Sequence, residues 1–357
     1  MAVFAKRLAA PLCLSLCFSL ALAGCARQKS QPAADPSSSQ TTNTSAVTVI
    51  DGDSVTFENR TFSADRADQN ALVVQNGGSA VLRNCTIRKT GNASSSQDGQ
   101  NAALLVKSGG NLVMENCSVI TDGLGADGIA AIGENACAVV SDTEIITKQA
   151  YSRGLVALDN GGVLAQYLTI RTEGDYSPLC ATRTRGSLQA SRVDGQTSGA
   201  HAFCLYAAGP MRLENSSLTA RAADGCAVSE SGSLQLCQTT LTGEAGHGVL
   251  ILNEEDDASP QSTQTALVQI QGGTLSAKQG AGIFATNVQA KISFSDFPTV
   301  RAESNVLLRA SAGPRGTAGQ NGAVVLLDGA CRAANIIQTD DISTVTASEK
   351  SHFTLAQ

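Results

Sequence analysis

Apolar and polar positions along the chain follow a unit that is plainest at Ala103 to Gly123. A short apolar run, Ala103-Leu-Leu-Val106, leads through a glycine-containing turn to a second run, Leu112-Val-Met114, and then by a polar step to the aliphatic Val119. Degraded copies recur along most of the molecule. Their closing aliphatic residues are Ile87, Val119, Ile145, Ile170, Val193, Leu218, Leu241 and Leu275, at intervals of 32, 26, 25, 23, 25, 23 and 34 residues. Ser or Thr precedes most of them, and Asn84, Asn116, Asp142, Tyr167, Ala190, Asn215, Gln238 and Gly272 stand two positions further back. The first run repeats as well, for example as Leu155-Val-Ala-Leu158, Val249-Leu-Ile-Leu252 and Ile283-Phe-Ala-Thr286. Runs of about four residues bounded by glycine suit short buried strands. A helix is disfavoured, because no stretch after the N-terminal segment sustains a 3.6-residue period for three turns.

Repetition at this period decides the architecture before any local reading does. With two or three strands in each 23 to 26 residues, one copy makes one turn of a coil. Parallel pairing with the next turn, about 4.8 Å away, then satisfies its backbone groups. The prediction is an all-β, single-stranded right-handed parallel β-helix of about ten rungs over residues 47–357. The longer intervals mark excursions at Gly91–Gln100 and Glu254–Thr265, and a glycine-rich stretch runs from Ala310 to Gly322. Insertions of this kind decorate one face of a solenoid, often the binding face.

Such a chain resembles the pectate-lyase-like β-helix superfamily. More narrowly, it resembles the anchored β-helix lipoproteins and adhesin-like proteins of bacterial envelopes. The resemblance rests on the repeat, including Asn84-Cys-Thr-Ile87, Asn116-Cys-Ser-Val119 and Asn215-Ser-Ser-Leu218. It implies either a non-catalytic binding scaffold or a polysaccharide lyase or glycoside hydrolase acting on an acidic glycan. Enzymes of the superfamily carry acidic and basic residues on one solvent face, for calcium binding and proton abstraction.

The N-terminus supplies an address. Lys6 and Arg7 precede a largely apolar run, Leu8 to Ala23, that is too short to span a bilayer and reads as a secretory signal. It ends in Leu22-Ala-Gly-Cys25, which resembles the lipobox of bacterial lipoproteins and implies cleavage before Cys25 with a lipid on its thiol. Residues 26–46 hold mostly Ser, Thr, Gln, Pro, Ala and Asn and read as a flexible tether. The expected organisation is thus a signal at 1–24, lipidated Cys25 and tether at 25–46, and the β-helix at 47–357. An exported, lipid-anchored, extracytoplasmic protein follows. Its expected partners are the membrane, through Cys25, and a cell-surface or extracellular glycan or protein.

Composition narrows the chemistry. The net charge of −6, with no Trp and no basic run, argues against nucleic acid. Eight cysteines remain after Cys25, none in a Cys-x-x-Cys pair, so zinc has no spacing support; they read as a buried thiol ladder, with one or two bridges open to an exported protein. Eleven positions before each closing aliphatic residue lies a turn column containing Glu134 and Asp159, with Arg183 beside Thr182. A carboxylate pair there can hold a cation and the arginine can bind or deprotonate a uronate. Glu134, Asp159 and Arg183 are therefore the candidate catalytic residues of the enzyme reading, with Ca2+ expected only under it and no cofactor otherwise. Ordinary charge pairing at a solvated turn is the simpler account. Arg153 can brace a turn, and His201 and His247 read as turn residues. Gly123-Leu-Gly-Ala-Asp-Gly128 opens no helix and reads as a turn rather than a dinucleotide site.

Overall fold

The computed structural model describes residues 46–94, 99–253, 264–312, 322–333, 336–349 and 351–354. The leader, Cys25 and the tether up to residue 45 lie outside this set, as do residues 254–263 and 313–321 of the excursions. Every regular element described is a strand.

The short apolar runs form the first of three parallel ladders. It contains twelve strands, from Ala46–Asp51 to Ile336–Thr339, so the coil advances through eleven steps. This slightly exceeds the repeat count, because the terminal rungs have lost the pattern. The second and third ladders lie in one continuous sheet, since Gly162–Thr172, Ser187–Thr197 and Val324–Ala333 each run through both. Alternate residues of every strand point into the coil. Leu104, Ile129, Leu155, Cys180, Leu205 and Cys226 stack as one interior column of the first ladder. Ile87, Val119, Ile145 and Ile170 do the same in the third.

One rung departs from the sequence reading. Gly195, not Val193, pairs with both Ile170 and Leu218. A Cβ at Gly195 would stand 2.3 Å from Leu179 Cδ1, so the neighbouring leucine already fills that interior volume. With this correction the bend between second and third ladders becomes regular. Asn59, Asn84, Asn116, Asp142, Tyr167, Arg192, Asn215, Gln238, Gly272 and Phe297 all adopt φ between 48° and 58°. Asn, Asp and Gly take this left-handed conformation easily, which explains their frequency in the column.

Where the residue after the bend is Cys, Ser or Thr, it turns inward and serves the backbone of the adjacent turn. Thr143 Oγ1 accepts from Cys117 N at 3.3 Å, Ser216 Oγ from Val193 N at 3.0 Å and Thr239 Oγ1 from Ser216 N at 3.4 Å. Cys85 and Cys117 occupy the same position on neighbouring turns, as expected. Among the described residues seven cysteines are buried free thiols. Cys180 stacks on Leu205 and then Cys226, and Cys204 lies one residue out of that column. Burial pushes the Cys180 thiol up to about 12, so this cysteine is inert packing rather than a reactive group.

The first ladder is apolar on its outer face too. Val73, Leu105, Ala130 and Val156 point outward there, yet are buried with Ala102 and Leu158 in a second, smaller cluster. Residues 99–103 lie over them: a Cβ at Gly99, where φ is +73°, would meet Ile132 Cδ1 at 2.8 Å and Ala130 Cβ at 3.3 Å. The described part of the first excursion is therefore a cover for apolar surface. Next to this cover, Lys89 is fully buried, donating from Nζ to Gln69 O at 2.7 Å.

Candidate binding surface

The three candidate catalytic residues all fall in the bend after the first ladder, on successive turns. Counted back from the second-ladder strands that follow, where Cys137 pairs with Gly162 and Gly162 with Ser187, Glu134 and Asp159 share one turn position with Thr184, and Arg183 stands one residue before it. Counted forward from the first-ladder strands, Asp159 aligns with Gly133 and Thr184, Glu134 with Asn160 and Arg185, and Arg183 with Leu158 and Ile132. The two counts differ because the bend at Gly133–Ala136 is one residue longer than the next one. The position expected at Thr182 falls at Thr184, since the Val193 rung was two residues out of register. Glu134 and Asp159 are exposed, and the Arg183 guanidinium carbon lies 5.9 Å above the ring of Tyr206. Among the described residues no three His, Cys, Asp or Glu side chains come close enough to hold a metal.

Arg153 does brace a turn. Its guanidinium forms a bidentate pair with the fully buried Asp127, at 3.0 Å from Nε and 2.9 Å from Nη2, and its backbone N–H donates to the same carboxylate at 2.7 Å. This explains the aspartate in Gly123-Leu-Gly-Ala-Asp-Gly128, which is a bend between the third and first ladders with φ +63° at Gly125. A buried carboxylate with paired donors on all sides is a structural clamp.

The same bend carries an arrangement that sequence reasoning did not assemble. Tyr151, Tyr176 and His201 occupy one position on three consecutive turns, at φ of 58°, 54° and 55°. Because turns repeat at strand spacing, the rings stack: centroids lie 5.2 Å apart between the tyrosines and 5.0 Å apart between Tyr176 and His201, with interplanar angles of 3° and 19°. The residues are exposed, Tyr151 by 56% and Tyr176 by 48%. By register the neighbouring turns present Gly125 before the stack and Ala222 after it, so no large side chain flanks either end. A signal existed in the sequence: each ring stands four residues before the strand that begins at Leu155, Cys180 or Leu205. On the opposite bend the exposed Tyr167 stacks under the Arg192 guanidinium at 4.8 Å.

An aromatic ring in the left-handed region is costly, since bulky side chains rarely adopt it. The neighbouring bend solves the same problem with Asn at four of its positions, namely 59, 84, 116 and 215. Two tyrosines and a histidine at such positions therefore oppose local preference, and solvent-exposed rings contribute little to a core that lies beneath the strands.

Comparison with known proteins agrees with this architecture. Residues 70–243 match the family model described as right handed beta helix region, and the ladders continue on both sides of that span. The chain is a right-handed parallel β-helix protein. No curated protein matches its sequence significantly.

Proposed function

We propose that this is an exported bacterial envelope lipoprotein whose β-helix presents a non-catalytic, adhesin-like surface to an extracellular glycan. The observation that carries the reading is the exposed Tyr151, Tyr176 and His201 stack. The stacked rings cover one another's inner faces, so the outer faces of Tyr151 and His201 are left for the apolar face of a sugar, and the row of ring edges offers the two hydroxyls and the imidazole for hydrogen bonds. Leu22-Ala-Gly-Cys25 and the polar tether support anchorage, two acyl chains on Cys25 being sufficient for stable attachment.

The test uses the lipidated full chain in detergent micelles on an array of bacterial and host glycans. Retention on a subset of glycans, reduced at least tenfold by the double substitution Tyr151→Ala and Tyr176→Ala, is the expected result. Background signal throughout, or retention indifferent to both substitutions, would overturn the glycan reading. Recovery of Cys25→Ala in the soluble fraction, against membrane recovery of the native chain, tests the anchor separately.

A further inference from the structure

Three of the four tyrosines in the chain are exposed, and all three border one stretch of the third ladder. Tyr151 follows the strand Glu144–Thr147 by four residues, while Tyr167 and Tyr176 stand on either side of residues 168–172 on the next turn. The two bends thus edge the outer face of this ladder with aromatic rings. Each is already covered on the side of the following turn, Tyr151 by the Tyr176 ring at 5.2 Å and Tyr167 by the Arg192 guanidinium at 4.8 Å. Their free faces therefore look the same way, toward the preceding turns.

Small or short side chains stand before both free faces. Gly125 lies one turn before Tyr151, fixed by the bond from Gly125 N to Ala150 O, and Asp142 one turn before Tyr167, fixed by Asp142 N to Gln166 O. Between the rings the floor is the outward side of the third ladder. Ile120 and Ile146 are directly paired there on neighbouring turns, and both are half-buried. The rest of their column is polar: Arg88 precedes them, and Arg171, Gln196, Thr219 and Thr242 follow. Outward aliphatic residues in this column are thus confined to the space between the two free rings. From Thr143 to Thr147 that floor is about 16 Å wide at the usual strand rise, more than one sugar ring covers.

We propose that the glycan is a neutral oligosaccharide that crosses the third ladder obliquely, with one sugar on the free face of Tyr167, another on that of Tyr151, and the sugars between them over Ile120 and Ile146. The proposal rests on the glycan reading and narrows it. Pyranose rings suit the surface because their C–H faces meet the aromatic rings and the isoleucines, while their hydroxyls reach carboxylates at the rim. Those carboxylates also set the charge class. Asp142 and Glu144 are exposed beside Tyr167, and Lys148 on the same turn is paired with Asp122 at 3.5 Å. A uronate polymer would meet this negative charge, and a polyamine glycan would lay ammonium groups over the isoleucines, where their hydration is lost.

Calorimetric titration of the lipidated full chain in detergent micelles tests this with linear tetramers of glucose, mannose and N-acetylglucosamine and with the corresponding monosaccharides. At least one neutral tetramer should bind at least tenfold more tightly than its monosaccharide. Tyr167→Asn should weaken that tetramer at least tenfold and Ile146→Gln at least fivefold. Both changes borrow side chains that the same columns already hold, at Asn84, Asn116 and Gln196, so an unchanged urea midpoint should accompany the loss. The galacturonate and glucosamine tetramers should bind at least tenfold more weakly than the neutral one. Tetramers no tighter than monosaccharides, a charged tetramer tighter than every neutral one, or affinity that survives Tyr167→Asn but is lost with Tyr151→Ala and Tyr176→Ala would overturn the oblique site and leave the glycan reading standing. Absence of binding by every sugar would overturn both.

Discussion

The outer face of the first ladder is built in two ways. Over the turns of Val73, Leu105, Ala130 and Val156 it is apolar and sealed beneath residues 99–103. Over the turns of Leu250 and Phe284 it forms a half-open pocket of about 290 Å³, and nearby Thr286 Oγ1, Asn287 Oδ1 and Ser311 Oγ are buried without partners. Thr286 and Ser311 are directly paired residues, so the unpartnered hydroxyls stack on neighbouring turns. A strand surface that is apolar on both sides must be covered or used. The first half of this ladder is covered, and an open pocket distinguishes the second.

The largest test of that contrast places one substitution at two positions in the same outward column. Leu105 is fully buried under the cover, whereas Leu250 is half-buried at the cavity rim. Leu105→Ala should destabilise by about 2 to 4 kcal/mol through lost burial and the void left behind, and Leu250→Ala by less than about 1 kcal/mol. Urea denaturation midpoints at constant slope check both. Equal losses would mean that the two halves of the face are packed alike.

Beside the cover, Lys89 gives a second test, through pH. Burial pushes its pKa down from 10.5 to about 8, against a smaller opposing pull from Asp68. Below pH 8 both folded and unfolded chains carry the proton and the full cost of burying an ammonium is present. Between about 8 and 10.5 the unfolded chain binds more protons, so stability should rise with pH across that window and level off above it. Lys89→Met should remove the slope and stabilise the protein at pH 7 by about 2 to 3 kcal/mol. The equivalent positions on later turns, Thr121, Thr147, Thr172 and Thr197, hold a smaller uncharged side chain, which makes the substitution sterically reasonable. A flat profile in the native chain would show that Lys89 reaches solvent.

How much of this was legible beforehand follows from what each feature leaves in a sequence. Interior columns were legible, because Ile87, Val119, Ile145 and Ile170 must all be aliphatic to fill one continuous core. Gly195 was not, because its share of the interior is occupied by Leu179 from another strand, and nothing local records that. The bend carrying Glu134, Asp159 and Arg183 was partly legible for a related reason: a solenoid tolerates an extra residue in a bend without disturbing the ladders, so counting back from the next strand keeps Glu134 level with Asp159 while counting across the bend does not. The cavity was hidden inside runs such as Val249-Leu-Ile-Leu252, where inward and outward apolar residues look alike. The aromatic stack was legible in principle at its 25-residue spacing. It stands four residues after the third-ladder strands ending at Thr147, Thr172 and Thr197 and four before the first-ladder strands that follow, so either count reveals it.

The smallest effect expected on stability is also the one that separates contact from support. Tyr176 sits mid-stack at φ 54°, with Tyr151 and His201 on either side. Tyr176→Asn removes two ring contacts, each worth about 0.5 to 1.5 kcal/mol at most and less in solvent. It also relieves a left-handed tyrosine, a gain of about 1 kcal/mol that Asn already provides at Asn84 and Asn116 on the other bend. The two terms oppose each other, so the denaturation midpoint should move by less than about 0.5 kcal/mol equivalent, while glycan retention should fall tenfold. If the rings were braces between turns, the first term would dominate and stability would drop by more than about 1 kcal/mol without a selective loss of binding. The covered face of the first ladder would then differ from the aromatic bend only in where its apolar groups are hidden, and the bend would have no claim to be a recognition surface.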